Sequence, residues 1–102
     1  MKVGGKERRL VFNINALIEL EDNHGMNVLD AEQFKSIPLK KMRAIAFVGL
    51  KHGSIEDGQE VDFTIEDVGR VLTPDNFSEL LGTLERQNKP DLPGGEGKGE
   101  SS

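Results

Sequence analysis

The chain has 102 residues, no cysteine, tryptophan or tyrosine, and 18 acidic side chains against 13 basic ones, for a formal net charge of −5. That length holds one small domain, the missing cysteines exclude a disulfide framework or a cysteine-based zinc site, and the negative field disfavours nucleic acid and anionic lipid as partners. The opening Met1-Lys2-Val3-Gly4-Gly5-Lys6 lacks a signal-peptide core and no window nears the ~20 apolar residues that span a bilayer, so a soluble, cytoplasmic protein is expected.

Val3 followed by Gly4-Gly5 predicts a tight hairpin, and Leu10, Val11 and Phe12 read as the strand it feeds. Asn13 is placed to cap a helix that stops at Gly25. Ile14, Leu17 and Ile18 form its expected core face, with Glu19, Glu21 and Asp22 toward water. Residues 27–34 predict a loop with a single helical turn.

Pro38 opens a second helix over 39–52, ended at Gly53. Leu39, Met42, Ala46, Gly49 and Leu50 share one side of it. Phe47 and Val48 fall off that stripe and Ile45 lies at its margin, so the helix is apolar over more than half its circumference and should be central. Two readings of the excess follow: packing by the chain's own neighbours on several sides, or a partner surface at Ile45, Phe47 and Val48. Lys40, Lys41, Arg43 and Lys51 read as its solvated face.

Residues 54–62 are polar and form a connection. Thr64 with Asp67 is a Thr-x-x-acid start signal for a short helix through Leu72, with Ile65, Val68, Val71 and Leu72 on its apolar side. Thr73-Pro74 starts the last helix, whose Phe77, Leu80, Leu81 and Leu84 keep core spacing. From Lys89 the composition turns to glycine, proline and serine, predicting a flexible, disordered tail. The expected fold is thus mainly α: about four helices with a short N-terminal β-hairpin over 1–88, and a tail over 89–102.

Nothing in the pattern points to catalysis. His24 and His52 each stand beside a glycine at an expected helix end and belong to no metal-ligand spacing; Ser36, Ser54 and Ser78 lack a nucleophile-elbow context. The carboxylates Glu19, Glu21, Asp22, Asp57 and Glu60 have no signalled buried environment to separate their pKa values. The connection between the second and third helices is too long for a helix-turn-helix, and Glu66 and Asp67 would put acid where a reading helix meets phosphate. No enzyme activity, metal or cofactor is expected.

Three stretches in order resemble the phage tail assembly chaperones of long-tailed bacteriophages: Phe12-Asn13-Ile14-Asn15-Ala16-Leu17-Ile18-Glu19-Leu20-Glu21 with Gly25, then Arg43-Ala44-Ile45-Ala46-Phe47 with Gly49-Leu50-Lys51-His52, then Thr64-Ile65-Glu66-Asp67-Val68-Gly69. The resemblance implies a protein of the host bacterial cytoplasm that binds the tape-measure protein, helps recruit tail tube protein, and is absent from the finished virion; self-association is also allowed. It implies no catalytic residue. Many members have a frameshifted longer form, and Glu96-Gly97-Lys98 can be encoded by a slippery run, with the tail as linker to an appended domain. The alternative is a small adaptor or structural subunit that stays in a tail or other complex.

Overall fold

The computed structural model describes residues 1–88, so the expected tail over 89–102 lies outside the described residues. The chain is mainly helical, with four α-helices behind a two-stranded hairpin. Strands β1 (Lys2–Val3) and β2 (Lys6–Glu7) pair antiparallel, Lys2 opposite Glu7 and Val3 opposite Lys6. Gly4 and Gly5 turn between them at φ 62° and 77°, the left-handed backbone that a tight two-residue hairpin requires.

Leu10, Val11 and Phe12 are not a strand. They run extended into the interior and are buried there, with helices rather than strands as partners. The Val11 N–H donates to the Gly49 carbonyl at 3.0 Å. The Gln87 side-chain amide donates to the Leu10 carbonyl at 2.9 Å and accepts from the Phe12 N–H at 2.7 Å, while Asn88 Nδ2 donates to the Phe12 carbonyl at 3.1 Å. A buried backbone must be paired, and here two side-chain amides do what a sheet neighbour would have done.

Helix α1 (Ile14–His24) starts as its sequence implies. Asn13 Oδ1 accepts from the Ala16 N–H at 2.9 Å, and Gly25 closes the helix at φ 63° with the Met26 N–H returning to the Leu20 carbonyl. Its buried face, however, is Ala16 and Leu20, with Leu17 only partly covered. Ile14 and Ile18 lie on the opposite side, 67% and 47% exposed. The helix is apolar on two sides, and only the side carrying Ala16 and Leu20 is buried.

Helix α2 (Leu39–Glu56) is the centre of the fold, burying nine of its 18 residues. It passes through Gly53 and ends a turn later. Gly49 and Gly53, four residues apart, form the seat for the extended segment: a Cβ on Gly49 would stand 2.5 Å from the Phe12 ring, and one on Gly53 would run into the Arg9 carbonyl. Glycine acts here as a close-approach residue, not a helix stop.

A 3-10 turn (Ala31–Phe34), capped by Asp30, joins α1 to α2. Helix α3 (Ile65–Val71) begins with the expected capping box, Asp67 N–H to Thr64 Oγ1 at 3.1 Å and Thr64 N–H to Asp67 Oδ2 at 2.9 Å. Helix α4 (Pro74–Asn88) has proline in its first turn and buries Leu80, Thr83 and Leu84, with Phe77 and Leu81 packed against the core. None of the described helices is long and apolar enough to cross a membrane.

Candidate functional site

The three residues marked as a possible partner surface are taken up by the chain itself. Ile45 and Val48 have no exposed surface. Phe47 is partly buried, its ring meeting Phe63 edge-on at 5.9 Å. The wide apolar circumference of α2 is thus covered by the 8–12 segment, α1, α3 and α4, which is the first of the two readings, packing by the chain's own neighbours.

Buried polar groups do exist, contrary to the sequence reading. Arg8 is 1% exposed. Its guanidinium donates to the Ser54 hydroxyl at 3.0 Å, the Glu60 carbonyl at 2.7 Å and Asp62 Oδ1 at 2.8 Å, its Nε to the Val3 carbonyl at 2.9 Å, and it lies 4.6 Å over the Phe63 ring. Four of its five N–H donors are used within the chain, so Arg8 joins the hairpin, α2 and the 59–63 connection. Arg9 lies outside that network and clamps Asp57; hydrogen bonding to Arg9 holds the Asp57 carboxyl below its ordinary value.

His52 lies inside α2, not at its end, and meets Glu19 of α1. Its Nε2 is 3.0 Å from Glu19 Oε1, and Lys51 Nζ is 3.2 Å from both Glu19 oxygens. Burial pushes the Glu19 carboxyl up, but the hydrogen bonds from His52 and Lys51, with their charge, outweigh it and hold the group below its ordinary value. Glu19 thus belongs to the α1–α2 seam, whereas Glu21 and Asp22 are exposed as expected. Among the described residues, no group of three or more His, Asp or Glu side chains is arranged to hold a metal ion.

The candidate site is at the other end of α2. Leu39, Lys40 and Arg43 on α2 face Glu66 and Gly69 on α3 and Leu72, Pro74 and Phe77 at the α3–α4 junction across an open groove of about 700 Å³. Leu39 is 71% exposed on its edge, and Leu72 and Phe77 show part of their surface. Gly69 makes room for Arg43, since a Cβ there would come within 3.0 Å of the Arg43 Cδ. The stem of Arg43 is thereby held against α3 with its head at the groove.

That head is unpaired. Among the described residues Arg43 makes no hydrogen bond or ion pair, and its buried Nε has no acceptor. Among the described residues Lys40 pairs with no carboxylate, and Glu66, the one acid lining the groove, pairs with neither cation. Sequence reading placed Lys40 and Arg43 on a solvated face; only the fold shows that they flank apolar surface. The arrangement can hold apolar side chains and a carboxylate, and it brings together no nucleophile and base. No family model, curated protein or solved structure matches the chain.

Proposed function

We propose that this protein is a binding protein of phage tail morphogenesis, a tail assembly chaperone that holds the tape-measure protein in the host cytoplasm, helps recruit tail tube protein and leaves before the virion is complete. The observation that carries the reading is the ordered set of three resembling stretches, which fall on α1, the middle of α2 and the start of α3. The open groove supports a binding role for the domain: a helical client with apolar stripes needs an apolar receiver, and this one is exposed. Binding without catalysis, metal or cofactor is part of the proposal.

The test is the composition of purified virions of the encoding phage, by mass spectrometry, beside co-expression with its tape-measure protein. A chaperone keeps the tape-measure protein soluble and is missing from the particle. Presence in the virion at fixed stoichiometry replaces this reading with the structural subunit. Expression with native downstream DNA and intact-mass measurement tests the longer form: a second, larger product sharing this N-terminus supports frameshifting, and a single 11.2 kDa product removes it.

A further inference from the structure

We infer that the α2–α3–α4 groove takes an acidic amphipathic helix of a partner, its apolar stripe on Leu39, Leu72 and Phe77 and a carboxylate on the Arg43 guanidinium. The inference rests on the reading of the chain as a binder of a helical client and names the chemistry of the occupant. Three observations carry it.

The first is charge. The chain carries a net −5, yet this groove holds two cations against one carboxylate, and neither cation has an ion-pair partner among the described residues. Arg8 and Arg9, by contrast, each have a carboxylate within 2.8 Å. Two cations without a carboxylate partner among the described residues, set beside apolar surface, make a complementary site for acid, not for a copy of a largely acidic surface.

The second is the state of Arg43. Its stem is fixed by Gly69 and its Nε is already out of water without an acceptor, so part of the desolvation and ordering cost of a docked ion pair has been met in the free protein. A carboxylate arriving on the outer guanidinium nitrogens makes a charge-assisted pair with a donor that is already oriented. The third is shape. Both walls are helical, and Arg43 sits one turn along α2 from Leu39 and Lys40, the spacing with which a helix laid in the groove presents its own anchors.

The probe is a displayed library of amphipathic peptides of about 18 residues, roughly five helical turns, with a fixed leucine stripe and randomised polar positions, selected on the full chain. The expected result is enrichment of Asp and Glu beside the stripe. Titration of one enriched peptide should shift the amides of Leu39, Gly69 and Phe77 and the Arg43 Nε–H in nitrogen-15 NMR spectra. Affinity should fall at least about tenfold in Arg43→Gln and again in Leu39→Asp, an exposed position whose variant stays folded, and it should weaken with salt. Enrichment of basic or neutral peptides, shifts on the exposed Ile14–Ile18 side of α1, affinities indifferent to both variants, or concentration-dependent shifts of the groove without peptide would each overturn the proposal. These outcomes are read without virions, so a failed groove and a failed chaperone reading are told apart.

Discussion

The two ends of α2 treat their polar groups in opposite ways. At the C-terminal end, Gly49, Gly53 and Ser54 receive the 8–12 segment so closely that backbone meets backbone, and Arg8 spends four of its five donors on the protein itself. At the N-terminal end, Leu39 stands in water and Arg43 holds a guanidinium without a partner among the described residues. At the first end the chain supplies most of its own polar partners, with Gln59 Oε1 the buried exception; the second end shows the apolar area and cations that the proposed partner helix would use. On that proposal stability and binding are separable in this small domain, and mutations at the two ends should fall into different classes.

The largest expected effect belongs to the closed end. Gly53→Val drives a branched side chain into the Arg9 carbonyl, and because that obstacle is backbone the segment has to move; we expect a loss of about 3 kcal/mol or more in chemical denaturation. Arg8→Ala comes next, at about 2–3 kcal/mol, since it orphans the Val3 and Glu60 carbonyls and removes the cation from the Phe63 face. A variant of either kind with unchanged stability would break the division between the two ends. Gln87→Ala, which removes the amide that brackets Leu10 and Phe12, should cost about 1–2 kcal/mol, and amide hydrogen exchange should show Phe12 losing protection first.

The α1–α2 seam sharpens the comparison through pH. A carboxyl held below its ordinary value binds fewer protons folded than unfolded, so the Glu19 contribution is complete above the ordinary glutamate value of 4.5 and is lost as pH falls through the lower folded one. Glu19→Gln should cost about 1 kcal/mol near neutrality, and the gap from wild type should close on acidification. A gap that stays constant down to strongly acidic pH would mean that the Lys51 and His52 contacts contribute little.

What the sequence made legible and what it hid divide by the range of the interactions. Caps are local, so Asn13, Gly25, Thr64 with Asp67, and Pro74 located the helix ends within a residue or so. The core face of α1 was misread because Ile14 and Ile18 offer as good a periodic stripe as Ala16 and Leu20, and only the approach of α2 chooses between them. Gly53 resembled a stop because its close-approach partner, Arg9, is more than 40 residues away; the four-residue spacing of Gly49 and Gly53 was the available signal. Arg8 is buried by Ser54, Glu60 and Asp62, all more than 40 residues away as well. For the groove, Lys40 and Arg43 were visible as a basic set, but their lack of partners appears only once α3 and α4 are in place.

The smallest expected effect tests the open end directly. Leu39 is the first residue of α2 and is 71% exposed, so replacing it removes little buried apolar area. An aspartate there also falls in the first turn of a helix that has no acidic residue in its first turn and no side-chain cap, a place where negative charge is favoured by the helix dipole. Leu39→Asp should therefore change stability by no more than about 0.5 kcal/mol in either direction. If its unfolding midpoint instead drops as far as that of Arg8→Ala, Leu39 is part of the folding core, and the N-terminal end of α2 loses its claim to be surface kept for another molecule.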